Sequence, residues 1–231
     1  MKKIEKTSLR ILRKTVHLFK IFEKDERILI AFSGGKDSLF LTEILHLYKL
    51  RYGGIDFIVA HVNPKMPGWD TQKIEEYLKQ RGFDYVIIEE DIWNKIKDLK
   101  HPCYLCSRLR KMTLFKWGEE RGIKTFAFAH HAEDVIETFF MNMAYNARAE
   151  TIKPVQYFFE GRIKVVRPIY RFTQELIDKF LKEKGISEIQ NICPFAKDSL
   201  REKIRPFLDF IYKSSPFTKY NLFQVITSLS G

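Results

Sequence analysis

Ser33-Gly34-Gly35-Lys36-Asp37-Ser38 follows directly on a short apolar run, Arg27-Ile28-Leu29-Ile30-Ala31-Phe32, and runs into a helix-like pattern from about 37 to 50. A buried strand that feeds two glycines, a lysine and hydroxyls into a helix N-terminus makes an anion cradle. The glycines let the backbone approach a phosphate, the first helical turn offers unpaired N–H groups, and Lys36 adds a mobile positive charge. The order of residues excludes the common nucleotide loop. G-x-x-x-x-G-K-S/T needs a glycine where Ile30 stands and a hydroxyl where Asp37 stands.

Outward from this loop, strands and helices alternate. A helical rhythm covers 4–22, strands are expected at 27–32, 56–62, 85–88 and 125–129, and helices at 37–50, 70–81, 107–121 and 132–145. Gly53-Gly54, Gly82 and Gly122 stop the helices. That alternation predicts an α/β fold built on a doubly wound parallel sheet. After residue 150 the pattern changes: 155–159 and 162–166 flank Glu160-Gly161 as a hairpin, and a helix covers 173–183. A second helix, 197–212, carries Pro206, which is expected to kink or break it. The last segment, 216–231, is moderately apolar and should pack on the body or on a second subunit. The chain therefore divides into an N-terminal helical segment (1–24), a nucleotide-binding domain (25–170) and a small, mostly helical C-terminal part (171–231). Phe126, Phe128, Phe139, Phe140, Phe158 and Phe159 recur at strand or helix spacing and read as core.

In open parallel sheets, ligands bind beyond the carboxyl ends of the strands. That rule brings four segments to one edge: 33–38, Ala60-His61-Val62-Asn63, the cysteine segment after the third strand, and His130-His131-Ala132-Glu133-Asp134.

The chain has 231 residues and is 45% hydrophobic, ample for a core. No apolar stretch approaches a membrane span, and the charged start has no signal-peptide core, so a cytoplasmic protein is expected. Forty Lys+Arg against 29 Asp+Glu give a net charge of +11. The cations cluster at Lys2, Lys3, Lys6, Arg10, Arg13 and Lys14, then around Arg108 to Lys111, then at Lys197, Arg201, Lys203 and Arg205. A polyanion, RNA first of all, is the natural partner.

Three cysteines, Cys103, Cys106 and Cys193, do not make a disulfide scaffold. Cys103-Tyr104-Leu105-Cys106 opens a helix behind Pro102, where the helix dipole should favour thiolate. Three thiolates suit an iron–sulfur cluster with one iron left open. They suit zinc only with a fourth ligand, for which His101 is at hand. A redox dithiol would leave Cys193 without a role.

Ser33–Ser38, Cys103-Tyr-Leu-Cys106-Ser-Arg-Leu-Arg110, His130-His131-Ala-Glu-Asp134, Arg167-Pro168 and Cys193 together resemble the TtcA-type tRNA 2-thiocytidine synthetase family of PP-loop ATP pyrophosphatases, from about residue 5 to residue 210. The resemblance implies an adenine nucleotide alpha hydrolase-like fold that cleaves ATP to AMP and pyrophosphate with Mg2+. It implies a 4Fe-4S cluster on Cys103, Cys106 and Cys193, a tRNA substrate and a 2-thiolated cytidine as product. ATP is expected on Ser33, Gly34, Gly35, Lys36, Asp37 and Ser38, with its adenine near Ala60, His61 and Val62, and with His130 and Asp134 close by. Asp134, Lys36, Arg110, Cys103 and Cys193 carry the chemistry in this picture. The sulfur donor is a cysteine desulfurase or inorganic sulfide, and a homodimer is expected. Neither the long C-terminal extension of better-known bacterial members nor the zinc-ribbon cysteines of related uridine thiolases is present, and Ser107 follows the C-x-x-C where those thiolases carry glycine. Two alternatives remain: a 2-thiouridine-forming thiolase, and a zinc-containing PP-loop tRNA-modifying ligase without sulfur.

Overall fold

Ile28, Leu29 and Ile30 are all fully buried, which only a strand covered on both faces allows. This strand, β1 (Glu26–Ala31), lies in the middle of a six-stranded sheet ordered β3-β2-β1-β4-β6-β5. The other strands are β2 (Ile55–Asn63), β3 (Tyr85–Glu89), β4 (Thr125–Ala127), β5 (Val155–Phe158) and β6 (Ile163–Val166). The computed structural model describes residues 1–189, 193–195 and 200–229. β1 pairs in parallel with β2 on one side and β4 on the other, and β2–β3 and β4–β6 are parallel too. Only β5 runs antiparallel, at the edge against β6.

Side chains alternate between the two faces. Ile28 and Ile30 of β1, with Phe57 and Val59 of β2, pack under α1 (Lys3–Phe19), α2 (Lys36–Tyr52), α3 (Gln72–Gln80) and α7 (Gln174–Lys184). Leu29, Ile58, Ala60, Phe126 and Val165 face the other way, onto α4 (Trp93–Ile96) and α5 (Cys103–Glu119). A third cluster joins α6 (Ala132–Asn146) to α8 (Leu200–Tyr212) and α9 (Thr218–Leu229) through Val135, Ile136, Leu208, Phe223 and Ile226.

Several expectations change in detail. α5 begins at Cys103, a full turn before 107, because Pro102 caps it and the C-x-x-C is its first turn. The short helix α4 was not anticipated. β6 is more than a hairpin partner, since it pairs with β4 as an inner strand. The terminal segment is the helix α9, packed on α6 and α8 of the same chain. The helix around Pro206 runs from Leu200 to Tyr212 as one element, while the expected start at 197–199 lies outside the described residues. Phe126 is core, but Phe159 is 43% exposed at the hairpin tip, where the chain turns through positive φ at Phe159, Glu160 and Gly161. Among the described residues no helix is long and apolar enough to cross a membrane.

Candidate active site

The strand order reverses between β1 and β4, so the loops after them leave to opposite faces and open a crevice at their carboxyl ends. A cavity of about 760 Å³ fills it, a size suited to a nucleotide.

The 33–38 loop forms its floor. Gly34 has φ +86, and a side chain there would put Cβ 3.2 Å from the Ile189 carbonyl oxygen. The Ile189 N–H bonds to the Gly34 carbonyl at 3.0 Å, so the 186–189 segment closes over the turn. Ser38 Oγ accepts the N–H groups of Ser33 (3.2 Å) and Gly34 (3.1 Å) and donates to the Gly35 carbonyl (2.8 Å). Gly35 is the N-cap of α2, and no side chain caps the helix. The first-turn N–H groups are thereby left to an anion.

Two carboxylates stand beside this loop. Asp37 Oδ1 accepts from Gln174 Nε2 at 3.2 Å, and burial pushes its carboxyl above the ordinary range. Asp134 Oδ2 accepts the His131 N–H at 3.0 Å, and its Oδ1 pairs with Arg201 Nη1 at 2.8 Å. Burial opposes the Asp134 charge, but His131, His130 and Arg201 outweigh it and hold the pKa low. His131 Nε2 lies 3.8 Å from Asp37 and 3.5 Å from Asp134, linking the two acids. Burial works against its positive charge, yet Glu133, Asp134 and Asp37 raise its pKa.

On the wall, Arg167 Nε donates to His130 Nδ1 at 3.3 Å, and a further Arg167 donor reaches Gln156 at 3.4 Å. Burial lowers the His130 pKa to about 3. The ring is neutral with its proton on Nε2, a donor and not a base. Ala60 and Val62 line the wall, whereas His61 does not. Its Nδ1 bonds to the Phe32 carbonyl at 2.9 Å and its Nε2 accepts Trp69 Nε1–H at 3.2 Å, so the buried ring braces the strand exit behind the loop. Lys36 also stays off the wall, paired with Asp178 of α7 at 3.2 Å.

All three cysteines reach the far end of the same cavity, none in a disulfide. Cys106 and Cys193 pack in one apolar cluster, and Cys103 Sγ is 3.8 Å from the Phe195 carbonyl oxygen. Burial raises the Cys106 thiol, against the expectation that the helix dipole would lower it, with Arg110 acting in the opposite direction. Arg110 stands over the Trp69 ring at 5.4 Å. His101 is exposed and off the cavity wall. Among the described residues no three His, Cys, Asp or Glu side chains are placed to hold one metal ion. A tetrahedral zinc needs its sulfurs about 3.8 Å apart, whereas a multi-iron cluster accepts thiolates spread more widely.

Sequence reasoning did not single out His131 as the link between the acids, nor Lys111, Gln156 and Arg201 as wall residues. The basic run after Cys193 was the only signal for Arg201.

A family model described as a PP-loop domain matches residues 6–208. The tRNA-cytidine(32) 2-sulfurtransferase of Stutzerimonas stutzeri is 32% identical, over 98% of this chain and 85% of the relative. The chain belongs to the tRNA 2-thiocytidine synthetase family of PP-loop proteins. A second relative of this PP-loop family, the tRNA-cytidine(32) 2-sulfurtransferase of Pseudomonas fluorescens Pf-5, is 30% identical over 96% of the chain and 83% of its own length. Among solved structures, the U34-tRNA thiolase NcsA of Methanococcus maripaludis, with its 4Fe-4S cluster, superposes with TM-score 0.79 at 20% identity. It covers 98% of this chain and 78% of its own. The NH3-dependent NAD synthetase of Campylobacter jejuni follows the same fold more loosely, with TM-score 0.53 at 13% identity over 99% and 93% of the two chains.

Proposed function

We propose that this protein is an ATP-dependent tRNA sulfurtransferase that adenylates the C2 oxygen of a cytidine in the anticodon loop and replaces that oxygen with sulfur. One observation carries the reading: a phosphate cradle, a pair of acids and three thiols share a single cavity.

In this reading the triphosphate lies on the 33–38 loop and the α2 N-terminus, with the adenine against Ala60 and Val62. The pyrimidine C2 oxygen attacks the α-phosphorus, the Pα–O–Pβ bond breaks and pyrophosphate leaves. Sulfide then forms the C2–S bond as the C2–O bond breaks and AMP departs. Catalysis is mainly positioning and charge neutralisation. Lys36 swings from Asp178 to the phosphates. Asp37 and Asp134 offer the hard oxygen donors that suit Mg2+. Asp134, held anionic by an arginine and a backbone N–H, is a better cation ligand than proton acceptor. His130 Nε2–H, Arg167 and Arg110 present donors to the phosphate or to the base.

Cys103, Cys106 and Cys193 would hold a 4Fe-4S cluster, since three soft donors line one cavity and His101, the residue that could complete a zinc site beside the C-x-x-C, lies off its wall. When bound, such a cluster supplies an iron open to exogenous sulfur. A cysteine desulfurase or inorganic sulfide provides that sulfur, and the protein works in the cytoplasm as a homodimer.

Mass spectrometry of tRNA nucleosides from cells with and without the gene tests the reading. Loss of 2-thiocytidine supports it. Loss of 2-thiouridine instead moves the target base, and no missing thionucleoside sinks it.

A further inference from the structure

α1 is divided cleanly in two. Its buried positions, Ile4, Glu5, Ser8, Leu9, Leu12 and Thr15, face the core. Lys3, Lys6, Arg10, Arg13, Lys14 and His17 recur at spacings of three and four and are exposed. At about 100° per residue these six fall within an arc of about 100°, opposite the buried set. No ion pair involves any of the five lysines and arginines among the described residues, although Arg13 lies over the Tyr52 ring at 5.9 Å. The only acid on the helix, Glu5, turns inward to Lys184 of α7 at 2.8 Å. The result is an uncompensated cationic stripe about 17 Å long from Lys3 to Lys14.

A groove of about 350 Å³, lined by Arg10, Ile11, Lys14 and Arg171, lies on this stripe. Arg171 joins it to the active site. Four residues earlier the same segment carries Arg167 into the catalytic cavity, and the turns Arg167–Tyr170 and Ile169–Phe172 fold the connection tightly. Four residues span at most about 14 Å, so the groove and the cavity wall are near neighbours.

We propose that the α1 stripe and Arg171 form a docking surface for the sugar–phosphate backbone of the RNA whose nucleotide enters the cavity. This rests on the tRNA-thiolase reading and adds where the rest of the RNA lies. Rows of unpaired cations suit phosphates, which are read by charge and position, not by base identity. A membrane surface fits less well, because the apolar face that would enter lipid is already spent on the protein core.

The test uses the whole protein and a tRNA transcript, with affinity measured across a salt series. The triple variant Arg10→Gln, Lys14→Gln, Arg171→Gln removes three cations without disturbing a buried contact. The control Lys49→Gln, Lys79→Gln, Lys95→Gln removes the same charge from three exposed, ion-paired lysines. The stripe variant should bind tRNA roughly tenfold more weakly and lower the slope of log affinity against log salt by about 2. ATP affinity and the melting temperature should stay unchanged. An unchanged slope, or an equal loss in the control, overturns the surface while leaving the thiolase reading intact. A wild-type protein that binds no tRNA removes both. Loss of binding to phosphatidylserine vesicles with tRNA binding unchanged also overturns it.

Discussion

The two ends of the active-site cavity are built differently. At the phosphate end the loop backbone, Asp134 and His131 are each held by protein partners. Ser38 ties the loop backbone, Asp134 is clamped between a helix N-terminus and Arg201, and His131 bridges two acids. At the thiol end, Cys103 is exposed, Cys106 and Cys193 are half-buried, and the described side chains form no ready-made metal set. The contrast separates two kinds of preorganisation. A nucleotide arrives and leaves in every cycle, so its cradle must stand alone. A resident cluster organises its own ligands on binding, because metal binding couples to local folding.

Breaking the thiol end should have the largest effect. Cys193→Ser or Cys106→Ser should abolish thiolation and the visible absorption of anaerobically purified protein, while ATP affinity changes less than about twofold. A cysteine variant that keeps full absorption would show that the three thiols are not ligands of one group. At the other end, Gly34→Ala forces a side chain into a left-handed backbone and against the Ile189 carbonyl. The strain is about 1–2 kcal/mol, and ATP affinity measured by calorimetry should drop about tenfold or more while cluster absorption is unchanged. If the same variant loses the cluster, the two ends are not independent.

This division also marks what was legible in the sequence. The phosphate loop could be read directly, because its function lies in consecutive residues and in backbone geometry that glycine permits. The gathering of loop, acids and cysteines at one edge followed from strand–helix alternation and the rule for parallel sheets. The partners of those residues could not be read. Asp134 meets Arg201 from 67 residues away, and Lys36 rests on Asp178 of α7, the helix beside α2 on the same face of the sheet but far along the chain. His61 has the composition of a ligand contact, yet it is consumed by Phe32 and Trp69. β6 took an inner place because its four residues are fully covered, which a local hairpin signal cannot express.

A pH experiment sharpens the account of the phosphate end. Burial lowers the His61 pKa from 6.5 to about 4, with the bond to the Phe32 carbonyl opposing the drop and the Arg110 charge adding to it. The folded state therefore binds a proton later than the unfolded chain does. Stability is fully present above pH 6.5 and falls as the pH drops from there to about 4, by on the order of 3 kcal/mol. Thermal melts across that range should show the loss, and His61→Asn, which keeps a donor but cannot titrate, should flatten that part of the curve. An identical curve in the variant would place the acid sensitivity elsewhere.

The smallest effect concerns the lysine of the phosphate loop. Lys36 is held 3.2 Å from Asp178, with both side chains partly exposed at 38% and 52%. An exposed pair contributes roughly 0.2–1 kcal/mol, so Asp178→Asn should release the lysine at little cost in stability. If the pairing is a resting position, the freed lysine reaches the phosphates more often and ATP affinity rises by about two- to threefold. Lys36→Ala should lower affinity and slow pyrophosphate release, and the double variant should match it if Asp178 acts through the lysine and not through Gln174, whose amide donates to both Asp178 and Asp37 at 3.2 Å. Should Asp178→Asn weaken ATP binding even when Lys36 is absent, Asp178 itself contributes to the nucleotide site, and the fixed cradle extends further along α7 than the loop and its two acids.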